Sequence, residues 1–205
     1  PWHEFKEGVK FILNDSLFLT LILLSWISMF FGTSYVQIMP LFADMLQSGE
    51  RGFGLLISAT GIGSIIGNLF ISHYQESRKL GIMMLSSAAI APFCLIGFSL
   101  VAWILAGTVG AFWLACCFAI LTSALSSVFL VSSMTVLQIK VPDAFRGRVM
   151  GIHSITFSMI SLGGLAVGAL AAQFSAPVAV VIGGLVVLSS VTWVVFKVSE
   201  IAKID

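Results

Sequence analysis

Long stretches of the chain contain no charged residue, and short charged segments separate them. The uncharged runs are 16–43, 80–139 and 149–196, and a further apolar stretch covers 53–71. A helix needs roughly 20 apolar residues to cross the hydrocarbon core of a bilayer. Runs of this length are typical of membrane-spanning helices rather than of core helices in a soluble domain.

The two longest runs are each predicted to hold two spans. The run 80–139 divides at Gly107-Thr108-Val109-Gly110, because two glycines weaken a helix. The run 149–196 divides before Pro177, which suits the first turn of a new helix. The pattern therefore predicts an all-α membrane protein with six transmembrane helices, at about 17–39, 53–71, 80–104, 112–137, 149–171 and 178–196.

A short amphipathic helix is predicted in the lead-in, residues 1–15, before the first span. Its apolar residues Trp2, Phe5, Val9 and Ile12 recur at helical spacing among charged residues, as in helices that lie in the membrane interface. We expect a connector; a functional element is the alternative. The segment Asn14-Asp15-Ser16 offers side chains that can cap the first span.

The charges between the spans predict the orientation. With six spans, both ends of the chain and two connections lie on one side of the membrane, and only Arg51 among the cations lies on the other. Cationic loops stay in the cytoplasm, so both ends of this segment are predicted to be cytoplasmic, in a plasma or inner membrane. The cations on that side are Lys6, Lys10, Arg78, Lys79, Lys140, Arg146, Arg148, Lys197 and Lys203.

Composition supports a lipid environment and narrows the partners. Hydrophobic residues make up 59% of the chain and charged residues 9%, whereas a soluble domain is about 25% charged. A net charge of +1 with scattered cations argues against a nucleic-acid partner. The three cysteines lie in apolar runs without histidine or carboxylate at ligand spacing, so neither a metal site nor a cofactor is predicted.

Two glycine pairs predict close contacts between helices. Gly63 with Gly67, and Gly164 with Gly168, place small residues on one helix face, which lets backbones approach each other in lipid. Packing is the simpler interpretation, and a sliding or hinge face is the alternative.

The predicted spans contain neutral polar residues but no acid or base apart from His153. This argues against an ion pump whose carrier lies in this segment. We expect His153 to be a neutral surface histidine, with a titrating role as the alternative. Gln37 and Asn68 are expected to line a watery pathway or to bond another helix, because an amide cannot satisfy itself. The predicted cavity residues are Ser34, Gln37, Thr60, Ser64, Asn68, Ser126, Ser127 and Ser158.

The segment TVLQIKVPDAFRGRVMGIHS, 135–154, resembles the link between the tenth and eleventh helices of drug- and siderophore-efflux members of the major facilitator superfamily. The stretches 4–15 and 52–70 resemble that group's lead-in to the seventh helix and its eighth helix. The resemblance implies one half, helices seven to twelve, of a fold with two six-helix bundles around a substrate cavity. The chain does not begin with methionine, and we expect an N-terminal six-helix half of the same polypeptide as its partner. The matching positions are Thr135, Gln138, Pro142, Asp143, Arg146, Gly147 and Arg148.

The connection between the second and third spans departs from the superfamily pattern. The basic pair is present as Arg78-Lys79, but the expected acid is missing and Glu76 is its nearest substitute. A cytoplasmic gate would use the fork of an arginine to hold carbonyls or a carboxylate; topology anchoring is the alternative role. The candidate gate residues are Gln138, Asp143, Arg146, Arg148, Glu76 and Arg78.

The resemblance implies a secondary active transporter, a proton-coupled exporter of amphipathic small molecules, and no enzyme. The alternative is a non-transporting six-span scaffold or assembly subunit that oligomerises through its glycine faces. A membrane enzyme is disfavoured, because the spans lack acids, ligand clusters and a nucleophile–base pair.

Overall fold

The computed structural model describes residues 2–74, 80–108 and 110–197, and this part of the chain is helical almost throughout. A π-helical segment, Ser28–Thr33, and a 3-10 segment, Ser34–Ile38, join α2 to α3. The α-helices are α1 (Trp2–Asn14), α2 (Ser16–Ile27), α3 (Met39–Met45), α4 (Gly49–Tyr74), α5 (Leu80–Ile104), α6 (Ala111–Lys140), α7 (Asp143–His153), α8 (Thr156–Gln173) and α9 (Ala176–Lys197).

Within the described residues, six stretches are long and apolar enough to cross a membrane. The predicted fold class, an all-α bundle of six transmembrane helices, is therefore confirmed. Most stretches extend beyond the apolar runs of the sequence, because polar residues at the membrane surface continue the helices. They are Ser16–Met45, Gly49–Tyr74, Leu80–Ile104, Ala111–Lys140, Asp143–Gln173 and Ala176–Phe196.

Two of the spans are interrupted, which the even apolar runs did not predict. The first changes from α to π to 3-10 geometry between α2 and α3. π-Helical turns are rare in proteins, and many of those that occur lie at functional sites. The fifth is divided by a turn at 154–155. The fifth span was predicted to begin at about residue 149, but Asp143 already begins a helix; an acid in the first turn suits the helix dipole there.

Helix α6 is central to the bundle, with α4 and α5 packed along it and α9 packed on α5. Gly63 and Gly67 explain the approach of α4, because a Cβ at either position would overlap the backbone carbonyl of Ile120 or Ala124. Such close backbone contact replaces the hydrophobic driving force that helices lack in lipid. We call this contact the α4–α6 seam.

The first span begins at a side-chain cap. The carboxylate of Asp15 accepts hydrogen bonds from the backbone N–H groups of Leu17, at 2.9 Å, and Phe18, at 3.4 Å. The predicted cap is confirmed, and Asp15 is the one residue between the amphipathic α1 and the membrane-spanning α2. Helix α1 packs on α7.

Candidate functional site

A cleft of about 270 Å³ opens between the first span, α4, α6 and α8, and we call it the front cleft. Its apolar walls include Met29, Leu130 and Phe157. The lining residues all belong to the described part of the chain, and none of them is charged. Hydroxyl-bearing side chains supply its polarity: Thr33, Tyr35, Thr60, Ser64, Thr122, Ser123, Ser126 and Ser127.

The structure brings four of the eight predicted cavity residues together in the front cleft: Thr60, Ser64, Ser126 and Ser127. Ser34 does not line it. This side chain is fully buried and donates to the carbonyls of Met29, at 3.0 Å, and Ile160, at 3.1 Å. Ser34 therefore ties the irregular part of the first span to α8.

Gln37, Asn68 and Ser158 also lie away from the front cleft, and all three are exposed. The Gln37 side chain lies beside Gly164, where a Cβ would meet its Cγ at 2.6 Å. Asn68 is eight residues from Thr60, a rotation of about 80° around an α-helix. Residue type alone did not predict which helix face meets the cleft.

Four polar residues of the front cleft were missed by the sequence analysis: Thr33, Tyr35, Thr122 and Ser123. Helical spacing could have found Thr122 and Ser123, which lie one turn before Ser126 and Ser127. Ser123 donates to the carbonyl of Thr60 at 2.7 Å and so links α6 to α4. The hydroxyls of Tyr35 and Thr122 are buried without a hydrogen-bond partner among the described residues.

The front cleft is suited to binding an uncharged molecule. Hydroxyls can donate to and accept from an uncharged polar ligand, while Met29 and Phe157 offer adaptable apolar contact. Among the residues described by the structure, no group of His, Cys, Asp and Glu could hold a metal ion. A molecule with an apolar body and uncharged polar groups would fit these walls.

Arg146 makes local contacts where α6 meets α7. Its Nη2 lies 2.6 Å from the Asp143 carboxylate, and its Nε donates to the backbone carbonyl of Gln138 at 3.1 Å. The arginine thus holds the last turn of α6 to the first turn of α7. Glu76 and Arg78, the other candidate gate residues of this side, lie outside the described residues.

Arg148 makes a long-range contact with the lead-in helix. Its Nη1 lies 2.8 Å from the Glu7 carboxylate, and its guanidinium lies 5.5 Å from the centre of the Phe145 ring. That ring stacks on Phe11 with centroids 4.5 Å apart, and a Cβ at Gly8 would be 3.0 Å from the Arg148 Cβ. We call this set, Glu7, Gly8, Phe11, Phe145 and Arg148, the α1–α7 clamp.

The predicted glycine faces meet different surroundings. Gly63 and Gly67 form the α4–α6 seam, whereas a Cβ at Gly168 would meet nothing within 4 Å. Gly163, which the sequence analysis passed over, lies so close to the Phe30 carbonyl that a Cβ would overlap it. The closest approach of α8 is therefore to the π-helical segment.

His153 is buried, with 2% of its surface exposed. The prediction of a surface histidine is therefore wrong. Its Nε2 is buried and has no hydrogen-bond partner in the part of the chain that the structure describes. It is the last residue of α7, directly before the turn at 154–155.

Comparison with known proteins gives one match. The family model described as transmembrane secretion effector matches residues 3–205. Neither the curated proteins nor the solved structures gave a significant match to the chain.

Proposed function

The chain belongs to the transmembrane secretion effector family, which is of the major facilitator type, and from this premise we propose that it is half of a secondary active exporter of amphipathic small molecules. The front cleft would be this half's share of the substrate cavity. The observation that carries the proposal is that the cleft combines hydroxyls and adaptable apolar walls at the junction of four spans. Alternating access would expose it to each side of the membrane in turn.

We propose that an N-terminal six-helix half covers the faces of α4 and α8 that this chain leaves open. Asn68 on α4 and Ser158 on α8 are exposed in the spans, where polar groups facing lipid are costly. A Cβ at Gly61 or Gly168 would meet nothing within 4 Å, so both helices present room for close contact with another bundle. Lipid would surround the remaining outer surface.

We propose that the α1–α7 end of the bundle faces the cytoplasm and contains a gate. The cation bias supports the orientation. The contacts of Arg146 with Asp143 and with the Gln138 carbonyl, and of Arg148 with Glu7, could hold one state of the transporter and break in another. Topology anchoring by the same arginines is compatible with this role.

Proton coupling is the proposed energy source, with the titrating group expected in the other half. In the described part of this chain, His153 is the one histidine, acid or base that is buried. It is therefore this half's candidate for the group that binds the proton.

Accumulation of fluorescent amphipathic dyes in cells that express the full-length protein tests the proposal. Export predicts lower accumulation than in control cells, and a protonophore should abolish the difference. The double variant Arg146→Ala/Arg148→Ala, shown to be inserted at normal levels, should also fail to lower dye accumulation if the arginines form a gate. An unaltered variant would favour anchoring alone.

The same experiment separates transport from the scaffold alternative. A scaffold would leave the accumulation of every dye unchanged. It would also have a native mass set by copies of one six-span chain, whereas the transporter pairs this half with a second one.

A further inference from the structure

A second, smaller cavity lies behind the front cleft. Its volume is about 20 Å³, and it lies between the first span and α6 on one side and α5 and α9 on the other. This space is enough for one water molecule or a single polar group. We call it the rear cavity; its wall includes Ser28, Gly32, Thr33, Pro92, Thr122 and Val187.

The front cleft and the rear cavity share one wall. Met29, Thr33, Thr122 and Ser126 line both spaces. Three of these four side chains carry hydroxyls, and Met29 is unbranched and flexible. A modest rotation of these side chains would join the two spaces.

Thr122 contributes a buried hydroxyl to the shared wall. Its Oγ1 is buried and has no hydrogen-bond partner among the described residues, and the residue itself is 2% exposed. A buried hydroxyl without a partner costs free energy, so its position beside two cavities points to a partner that occupies them.

The backbone around the rear cavity departs from regular α-helical hydrogen bonding on two walls. Pro92 lies inside α5 and has no N–H to donate to the carbonyl of Ala88, four residues earlier. Across the cavity, Ser28, Met29, Gly32 and Thr33 belong to the π-helical segment. Both walls of the rear cavity are therefore places where regular helical hydrogen bonding is interrupted.

We propose that the rear cavity is a polar subsite of the front cleft, which takes an uncharged oxygen-bearing group, a hydroxyl or a carbonyl, from a molecule bound there. A water molecule occupies it when no such group is present. None of the lining residues, all within the described part of the chain, is charged, and an unpaired ion would be costly to bury there. The inference rests on the proposed transport function for the identity of the molecule, but the subsite can be tested without transport.

Thiol labelling of the full-length protein in detergent tests access to the rear cavity. Cys94, Cys116, Cys117 and any other native cysteines are first replaced. Ser28→Cys then places a thiol on the wall of the rear cavity alone, and Ser132→Cys is the control, since Ser132 is fully buried and lines neither cavity. Methyl methanethiosulfonate should label Ser28→Cys at least roughly tenfold faster than Ser132→Cys, because thiol reactivity follows access. A cationic trimethylammonium reagent of the same type should not share this advantage.

A second comparison tests the role of the Thr122 hydroxyl. In the Ser28→Cys protein, the rate ratio of a hydroxyethyl reagent to the methyl reagent should fall about fivefold with Thr122→Val, the effect of one lost hydrogen bond. Thr156→Val should leave this ratio unchanged, because its hydroxyl is equally buried and unpartnered but lines neither cavity. Gly32→Ala should slow both reagents, because it narrows the cavity while its Cβ meets only Val187, at an ordinary 3.6 Å.

Equal labelling of Ser28→Cys and Ser132→Cys would overturn the subsite, as would a rate ratio that Thr122→Val leaves unchanged. Faster labelling by the cationic reagent would overturn its uncharged character. Because labelling requires no transport, a protein that labels as expected but exports no dye would contradict the proposed function and leave the subsite standing.

Discussion

The α4–α6 seam and the α1–α7 clamp are two helix contacts that differ in kind: the first is made by backbone atoms and the second by side chains. In the seam, Gly63 and Gly67 bring one backbone against the carbonyls of another, without any charged group. In the clamp, an ion pair and a stack of two phenylalanines join helices at the charged end of the bundle. One contact depends on the absence of side chains and the other depends on large ones.

The difference follows from the solvent around each contact. Helices in lipid gain nothing from hiding apolar surface, so they associate through close backbone packing. At the membrane surface, water makes aromatic burial favourable and weakens a half-exposed ion pair. The seam should therefore be sensitive to added volume, and the clamp to removed volume.

Gly67→Ala should have the largest effect, because the added Cβ would overlap the Ala124 carbonyl. We expect a loss of about 1 to 3 kcal/mol in the free energy of unfolding, the usual result of overpacking. Titration of the purified full-length protein with SDS in mixed micelles measures it. Gly54→Ala is the matched control, because Gly54 lies in the same helix and a Cβ there meets nothing within 4 Å; equal stability of the two variants would show that the close approach at Gly67 does not contribute to stability.

Phe11→Ala should rank next, since it removes the stacking partner of both Phe145 and Phe18. We expect a loss of about 1.5 kcal/mol in the stability of the clamp, within the range for aromatic pairs. Hydrogen exchange should quicken in α1 and stay unchanged in the α4–α6 seam. Unaltered exchange in α1 would mean that the phenylalanine stack does not hold it against α7.

Arg148→Ala should weaken the clamp by about 1 kcal/mol, because it removes a half-exposed ion pair together with the packing of the arginine stem. Exchange in α1 should rise less than in Phe11→Ala, and the effect should shrink at high salt. Arg146→Ala is the matched control, since its contacts lie within α6 and α7. If both variants loosened α1 equally, the Glu7 contact would not be the cause.

Ser123→Ala should have the smallest effect, about 0.6 kcal/mol, as is typical of a hydrogen bond between helices in a membrane. It removes the bond from α6 to the Thr60 carbonyl of α4. Ser58→Ala is the control, because its hydroxyl bonds to the Gly54 carbonyl of its own helix. SDS titration should find Ser123→Ala less stable than Ser58→Ala. The reverse order would show that the hydrogen bond of Ser123 does not stabilise the α4–α6 seam.

Hydropathy predicted the six spans, because the thickness of the bilayer imposes a minimum length on every apolar run. It could not predict the π-helical segment, where the approach of Gly163 to the Phe30 carbonyl is a contact between distant parts of the chain. The seam was partly predictable, since glycine spacing showed which face of α4 is narrow but not which helix meets it.

The candidate site was predictable only in part, because the sequence gives the residue types on each helix but not which face of the helix meets its neighbours. Serines and threonines marked the spans that meet the front cleft, but the rotation of each helix is set by its partners. The clamp was least predictable, because nothing in the periodicity of the lead-in indicated that Glu7 would meet Arg148, 141 positions away along the chain. The burial of His153 was missed because burial depends on which elements pack around a residue, and the sequence does not give that packing.

The π-helical segment Ser28–Thr33 also makes the first span sensitive to chain length. A helix can accommodate an inserted residue by forming one wider turn, and a deletion within this segment would return these residues to regular α geometry. Each residue of an α-helix corresponds to about 100° of rotation, so such a deletion would turn all of α2 against the rest of the bundle. Ser25 would leave Ser133, whose hydroxyl now lies 3.1 Å away, and a different face of α2 would meet the lipid.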